Sequence, residues 1–168
     1  MKIITLVLIA LWSLQSHAEQ WHGAAAIAAV EKIEGELSVG QRLVVLYEGY
    51  ASTPYIDAGN IAIRVGQRGR YFNARFKIAY AAHMRRARHR FGAWEYFTPK
   101  LKNHLILAEY RGDLGISPKT VQLINLGMCD TAATEFLNNQ EYREHKKRNT
   151  GGNIVQRFEA ISNAIKNH

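Results

Sequence analysis

The sequence predicts an α+β fold that is mainly α-helical and carries one small antiparallel β hairpin or sheet. Three observations predict it. Residues 24–34, AAAIAAVEKIE, are rich in helix-forming alanine. Residues 54–69 hold β-forming side chains separated by glycines, as in a hairpin or meander. From residue 72 to the end, apolar side chains recur with helical spacing. The 168 residues, 47% of them hydrophobic, suffice for one core.

The first 18 residues have the composition of a secretory signal peptide. Lys2 precedes an apolar run too short to span a bilayer comfortably, and Ser16 and Ala18 are the small residues that a cleavage site requires. We expect cleavage after Ala18, which leaves a single domain over residues 19–168 in the periplasm or outside the cell. An uncleaved membrane tether that is released later is the alternative.

Composition narrows the classes of partner. The full chain carries a formal net charge of +8, and loss of Lys2 would leave +7. An exported basic protein is expected to meet an anionic cell-envelope surface rather than nucleic acid. The single cysteine, Cys129, excludes an intramolecular disulfide and a cysteine-based zinc cluster. Its apolar neighbour Met128 predicts a small buried residue at this position.

Two early helices and the central one follow from local pattern. Residues 41–48, QRLVVLYE, predict a short helix closed by Gly49. Residues 72–92 repeat aromatic side chains four positions apart and become strongly basic in their second half. The helix expected after Pro99 is so apolar that we place it at the centre of the core.

The C-terminal helices are predicted from their end signals. Ser117 is expected as an N-cap, with Pro118 as the first helical residue and Gly127 as the C-cap. Asp130 is expected to cap the next helix, and Asn153 to cap the last one.

The stretch LYEGYASTPYID places two carboxyl groups in different surroundings. Glu48 is the last residue of its predicted helix, where the negative end of the helix dipole disfavours a charged carboxylate, and burial in a cleft would act the same way. Asp57, placed by Pro54 and Tyr55 at the start of the hairpin, is expected to stay solvated and charged. Glycoside hydrolysis uses such an unequal pair. The alternative is an exposed helix-end glutamate and an ordinary turn aspartate.

The same stretch, continued to LYEGYASTPYIDAGNIAIRVG, resembles the first motif of the phage-type lysozymes, the small two-lobed muramidases of glycoside hydrolase family 24. In that family an apolar helix ends in Glu-Gly, eight residues separate the Glu from an Asp or Cys, and a glycine-rich hairpin follows. Here Glu48, Gly49 and Asp57 hold those places, and Tyr55 stands two before the Asp, as is common in the family.

Later segments resemble the family in the same order. LKNHLILAEYRGDLG resembles the buried central helix, SPKTVQLINLGMCDTAATEFLNNQEYRE the following pair of helices, and GGNIVQRFEAI the closing segment. The resemblance implies a two-lobed phage-lysozyme-like fold with a small β lobe over about residues 50–70 and a helical C-terminal lobe over about residues 72–168.

What the resemblance implies for function is cleavage of peptidoglycan glycan strands between N-acetylmuramic acid and N-acetylglucosamine. Glu48 would be the general acid, and Asp57 would position water or support the transition state. Tyr55, Gln67 and Arg111 would contact the substrate. The resemblance implies no metal and no organic cofactor, and we expect a monomer.

The hairpin departs from the family pattern. Ala62 or Ile63 falls where the family has Thr, Arg64 replaces the first glycine of the following Ile-Gly-x-Gly-His, and Gln67 stands where His is frequent. Arg111 takes the place of an Asn on the central helix. A second hypothesis is therefore a catalytically impaired lysozyme-fold module that binds peptidoglycan or a protein partner.

The basic run HMRRARHR, residues 83–90, allows several interpretations. With export, attraction to wall polymer or lipid is favoured over nucleic acid, and a solvated helix face or membrane damage by basic helices remain alternatives. The histidines show no metal-binding spacing, and we interpret them, His83 and His104 included, as surface or hydrogen-bonded core residues.

Overall fold

The structure, a computed structural model, describes residues 20–57 and 60–168. It is mainly helical with one small antiparallel sheet, which confirms the α+β, mainly α class. The predicted signal peptide, residues 1–18, lies outside the described residues, as do Ala58 and Gly59 of the hairpin. Across the two described ranges, no helix combines the length and apolarity that crossing a bilayer requires.

In the described ranges, nine α-helices follow one another. Their bounds are α1 Gly23–Glu34, α2 Val39–Glu48, α3 Phe76–Arg90, α4 Pro99–Arg111, α5 Asp113–Ile116, α6 Pro118–Asn125, α7 Cys129–Phe136, α8 Gln140–Arg148 and α9 Gly152–Lys166. Short 3₁₀ turns at Gly69–Tyr71 and Trp94–Tyr96 precede α3 and α4.

Three strands form the sheet, in the order β1-β2-β3 and antiparallel throughout: β1 Gln20–Trp21, β2 Tyr50–Asp57 and β3 Asn60–Arg64. Ala51 pairs with Arg64 and Tyr55 with Ala62, so β2 carries a bulge between these two pairs. The sequence predicted the hairpin but not β1, because two residues are too few to show a strand pattern.

The central helix is α4, as its apolar sequence predicted. Leu101, Leu105, Leu107 and Ala108 are all 0% exposed. The helices α2, α3 and α9 pack around it. Because α4 ends at Arg111, its last turn carries a charged side chain from the middle of the core toward the sheet.

Several predicted helix ends agree with the structure. Gly49 follows α2 with a positive φ of 71° and donates its N–H to the Val45 carbonyl. Ser117 is the N-cap of α6 and Pro118 its first residue, as predicted, but the C-cap is Leu126, and Gly127, with a φ of 74°, follows it by one residue. The side chain of Cys129, which the sequence predicted to be buried, is only half-buried.

Two predicted N-caps are wrong. Asp130 lies inside the first turn of α7, because the chain leaves α6 through Met128, whose carbonyl already accepts the first α7 hydrogen bond, from Ala132. Asn153 lies inside α9, because the Gly151 carbonyl accepts from the Val155 N–H and the helix starts two residues earlier than predicted.

Two helices also begin elsewhere than expected. α2 starts at Val39, two residues before the predicted range, with Ser38 and Gln41 forming a capping box. α3 starts at Phe76 rather than Phe72, because Arg75 is extended and separates the helix from the preceding 3₁₀ turn.

Candidate active site

Glu48 lies at the junction between the helices and the sheet. It ends α2, and Gly49 turns the chain directly into β2. A side chain at Gly49 would lie 2.7 Å from the Trp21 carbonyl oxygen, so this turn needs glycine for space as well as for its φ. The Glu48 side chain is 5% exposed. The turn therefore fixes a carboxyl group in the interior beside the sheet.

Two arginines approach that carboxyl group from other helices. Arg111, at the end of α4, donates from Nη1 to Glu48 Oε2 at 2.9 Å. Arg157 of α9 places Nη1 4.0 Å from Glu48 Oε1, an ion-pair distance too long for a hydrogen bond. Among the described side chains, Glu48 Oε1 is buried without a hydrogen-bond partner.

The charges around Glu48 add a factor that the sequence prediction did not contain. The prediction considered the helix end and burial, but the structure also places the Arg111 guanidinium 2.9 Å from the carboxyl group. The pKa of Arg111 lies above its usual value, because the attraction of Glu48 and Asp113 outweighs the opposing effect of burial. The resting arrangement is therefore an ion pair.

Glu48 and Arg111 line one cleft. Its volume is about 130 Å³, and its walls combine backbone and side chains of the β3–α3 connection with the facing sides of α3 and α4. The residues that line it are Glu48, Gly66, Gln67, Arg68, Tyr71, Ala79, His83, Tyr110 and Arg111.

Gly66 brings the main chain close to the acid. It has a φ of 61°, and a Cβ there would lie 3.1 Å from Glu48 Oε2. Both the conformation and the space favour glycine at this position. Tyr110, on α4, helps to hold this segment of the main chain in place, because its hydroxyl donates to the Val65 carbonyl at 2.7 Å.

Gln67, predicted to bind substrate, lines the cleft but is only 2% exposed. Its Nε2 donates to the carbonyls of Ala74 at 2.6 Å and Tyr71 at 3.0 Å. These bonds hold together the connection between β3 and α3, so the amide nitrogen has a structural role. Its Oε1 is buried and accepts no hydrogen bond from the described residues.

The other two predicted residues lie on β2. Tyr55 is half-buried and close enough to Tyr110 to influence it electrostatically: burial, then Glu48, then Tyr55 raise the pKa of Tyr110 well above its usual value. The backbone of Asp57 closes β2 opposite Asn60. The structure thus brings Glu48, Gln67 and Arg111 to one cleft, and places Tyr55 and Asp57 on the strand that leaves it.

The position expected to hold a family threonine has no hydroxyl group. Ala62 is 0% exposed and pairs with Tyr55 across the hairpin, while Ile63 bridges to Gln67 through its backbone. Arg64, where the family has glycine, has a φ of 54°, in the left-handed region.

The sequence prediction omitted two residues of the site: His83, which lines the cleft, and Arg157, which lies 4.0 Å from Glu48. His83 lies on the buried stripe of α3 with Phe76, Tyr80 and Ala87, and this spacing was visible in the sequence. Burial and the Arg86 guanidinium lower the pKa of His83 to about 4, so the ring is neutral near pH 7. It packs on Tyr110 with ring centroids 4.5 Å apart.

The basic run is partly neutralised within the molecule. Arg86 and Arg90 donate from Nε to the two oxygens of Glu109, at 2.9 and 2.7 Å, and Glu109 is 5% exposed. Arg88 pairs with Glu95 at 2.6 Å. Arg86 and Arg90 thus stabilise the fold through a buried carboxylate, whereas the exposed Arg88 pair contributes little. These contacts weaken the interpretation of the run as a surface for anionic polymers.

A larger groove of about 640 Å³ lies along α6, α7 and α8. It is lined mostly by polar side chains such as Lys119, Glu135 and Asn139, and it contains none of the predicted site residues. Within residues 20–57 and 60–168, no group of three His, Cys, Asp or Glu side chains is arranged to hold a metal ion. We therefore place the candidate active site in the smaller cleft, where a buried acid meets a partly exposed arginine.

Comparisons with known proteins give no relative. The chain matches no family model, and neither the curated proteins nor the solved structures contain a significant match.

Proposed function

We propose that the protein is an exported glycoside hydrolase that cleaves peptidoglycan between N-acetylmuramic acid and N-acetylglucosamine, with Glu48 as the general acid. The observation that carries the proposal is the position of Glu48. Its carboxyl group is 5% exposed, ends a helix at the helix–sheet junction, and borders a cleft lined by Arg111 and the Gly66 backbone. A buried carboxyl group beside a cleft is typical of a proton donor.

The order of elements supports a lysozyme-like fold. A helix ending in Glu-Gly leads into an antiparallel hairpin, and a buried central helix follows later in the chain. Arg64 and Gly66 stand where the family has two glycines, and both have a positive φ, of 54° and 61°. The backbone at both positions has the conformation that would favour glycine, although the sequence retains only one.

In the proposed reaction, protonated Glu48 gives its proton to the glycosidic oxygen, and the bond from that oxygen to the anomeric carbon breaks with its electron pair on the oxygen. Water adds to the anomeric carbon, and its extra proton passes to Asp57 or to solvent. Asp57 also stabilises the positive charge that develops on the sugar ring. No step requires a metal or an organic cofactor.

The second candidate is a module that binds glycan without turnover. Two observations favour it: Glu48 is paired with Arg111 in the resting arrangement, and Ala62 offers no hydroxyl where the family has Thr. A water molecule for hydrolysis would then have fewer groups to hold it.

The decisive experiment is Glu48→Gln, assayed by release of reducing sugar from purified peptidoglycan. Loss of the transferable proton should lower the rate by about 100-fold or more. Glu36→Gln is the matched control, because the Glu36 side chain is 91% exposed and far less constrained. An unchanged rate in Glu48→Gln, with helical circular dichroism retained, would exclude the assigned acid.

Asp57→Ala tests the second carboxylate in the same assay, and we expect a strong loss of rate there too.

A pulldown on insoluble peptidoglycan separates the two candidate functions. Binding of the wild-type protein without release of reducing sugar would support the binding module and contradict hydrolysis.

A further inference from the structure

Glu48 belongs to a group of five charged side chains, here called the charge cluster, of which Glu48, Asp113 and Arg157 are buried and Arg111 and Glu141 are partly exposed. Its members come from α2, the end of α4, α5, α8 and α9: Glu48, Arg111, Asp113, Glu141 and Arg157. Arg157 is 3% exposed and lies between three carboxyl groups. Arg111 differs from it, because 23% of its side chain is exposed and it borders the cleft.

The charge cluster is loosely bonded apart from one contact. Arg157 lies 3.6 Å from Asp113, 3.8 Å from Glu141 and 4.0 Å from Glu48, all longer than a normal hydrogen bond. Among the described side chains, Arg157 Nε and Nη2, Asp113 Oδ2 and Arg111 Nε are buried without a hydrogen-bond partner. The bond of 2.9 Å from Arg111 to Glu48 is the strong contact of the cluster.

That bond conflicts with acid catalysis. A general acid must hold a proton on the carboxyl group, whereas Arg111 forms an ion pair with Glu48 Oε2 at 2.9 Å. Release of Glu48 from this ion pair would therefore favour proton donation. A largely buried guanidinium cannot be left without an anionic partner except at a large cost. Asp113 also attracts this guanidinium, but among the described residues only Glu48 is hydrogen-bonded to it, so release favours a new anionic partner. Arg111 is the cluster's arginine that a ligand in the cleft can reach.

We infer that Arg111 is a carboxylate-binding subsite, at which a carboxylate of the substrate replaces Glu48 on the guanidinium. This inference rests on the proposed function and narrows its substrate class to glycans that bear a carboxylate beside the scissile bond. Two sources share this chemistry: the lactyl carboxylate of a muramic acid without peptide, and a carboxylate of the peptide stem.

The exchange balances in charge and protons. The substrate carboxylate forms two hydrogen bonds to the Arg111 guanidinium, and the Glu48 carboxylate loses its bond to Nη1. Glu48, now in a buried site without its closest cation, takes one proton from solvent. It gives that proton to the leaving glycosidic oxygen. A neutral glycan makes no such exchange and leaves Glu48 charged.

The binding test uses N-acetylmuramic acid and its methyl ester, which differ only in the carboxylate. Binding is followed by NMR titration of the arginine side-chain N–H signals of the ¹⁵N-labelled wild-type protein. We expect the acid to bind at least about tenfold more tightly than the ester, as loss of a charged hydrogen-bond partner implies. Equal affinities would overturn the inference.

Two variants sharpen the test. Arg111→Gln should remove the preference for the acid, whereas Glu48→Gln should bind the acid about tenfold more tightly than the wild type, because the internal competitor is gone. A weaker or unchanged affinity in folded Glu48→Gln would overturn the exchange. The comparison of acid and ester in the wild-type protein decides the subsite even if Arg111→Gln fails to fold.

The closing experiment separates this inference from the proposed function. Reducing-sugar release by the wild type is measured on intact peptidoglycan, on peptide-free glycan strands and on neutral N-acetylglucosamine oligomers. Release from peptide-free strands but not from the oligomers identifies the lactyl carboxylate as the group that binds Arg111. Release from intact peptidoglycan alone identifies a carboxylate of the peptide stem instead. No release from any substrate, with the acid still preferred over the ester, overturns hydrolysis and leaves the subsite. Equal release from all three, with no preference for the acid, overturns the subsite and leaves hydrolysis.

Discussion

Arg64 shows how one residue can adopt a glycine-like conformation. Its φ of 54° is one that L-residues adopt at a cost of about 1–2 kcal/mol. Its side chain offsets part of that cost, since Nη1 donates to the carbonyls of Ala74 at 3.1 Å and Phe72 at 3.3 Å. These bonds tie the end of β3 to the segment before α3.

We expect Arg64→Gly to change the free energy of unfolding by less than about 1 kcal/mol, because relief of the positive φ offsets the lost hydrogen bonds. Arg64→Val combines a β-branched side chain at positive φ with loss of the same bonds, and should destabilise by about 2–3 kcal/mol. Urea denaturation of both variants measures the difference. Equal stability of the two would show that the backbone at this position is not constrained.

At the residue scale, sequence signals succeeded where one side chain decides the outcome. Gly49 ends α2 as predicted, because the turn needs both a positive φ and the absence of a Cβ. Asp130 and Asn153 failed as caps because the backbone of the preceding turn, rather than a side chain, starts each helix. The Arg111–Glu48 bond was not predictable, since it joins residues 63 positions apart.

At the scale of elements, Glu109 joins α3 to α4. Its two oxygens accept separately from Arg86 and Arg90, and Arg86 also reaches the Tyr71 hydroxyl at 2.7 Å. A buried carboxylate with two guanidinium partners is a stable arrangement only while all three groups are present. The contact therefore fixes how the basic helix lies against the central one.

Glu109→Gln should lower the free energy of unfolding by about 2–3 kcal/mol, because two partly buried arginines lose their shared anion. Glu95→Gln is the matched control: this side chain is 66% exposed and pairs with Arg88, so we expect less than about 0.5 kcal/mol. Thermal unfolding of both variants provides the measurement. If Glu95→Gln lowered the free energy of unfolding as much as Glu109→Gln does, the buried carboxylate would not be the group that fixes α3 against α4.

Element types were more predictable from the sequence than element partners. The apolar pattern of α4 placed it at the centre, and β-forming residues located the hairpin. The sequence did not reveal that Glu109 would neutralise part of the basic run, because a carboxylate within an apolar helix gives no sign of which cations it meets.

At the scale of the whole molecule, two buried groups with opposite responses to acid affect stability. The pKa of His83 is lowered to about 4 by burial and Arg86. The pKa of Asp113 is raised to about 6, mainly by burial, although Arg157 and Arg111 oppose the shift. The unfolded chain binds a proton to His83 more readily than the folded one, and the reverse holds for Asp113.

The signs follow from proton linkage. The His83 contribution to stability is complete above its unfolded pKa of about 6.5 and is lost as the pH falls toward 4. The Asp113 contribution is complete below its unfolded pKa of about 3.8 and is lost as the pH rises through 6. Between pH 4 and 6 the two contributions oppose each other.

Asp113→Asn should therefore make the protein lose stability more steeply than the wild type between pH 6 and 4, and His83→Gln should make it lose less or gain. The effects are at most about 3 kcal/mol, and smaller for His83 because its ring is partly solvated and screened. Urea denaturation at pH 4.5, 5.5 and 6.5 tests both. Curves parallel to the wild type would contradict the assigned shifts.

The sheet has a consequence for how copies of this protein meet. β1 covers only the start of β2, at Tyr50 and Ala51, so the rest of that edge has no strand beside it among the described residues. Pro54 stands in this uncovered part, exposed and without an N–H, next to a bulge. A continuous ladder to a neighbouring chain is interrupted there. Pro54, in the short stretch that leads from Glu48 toward Asp57, thus disfavours a continuous strand pairing through this segment of β2.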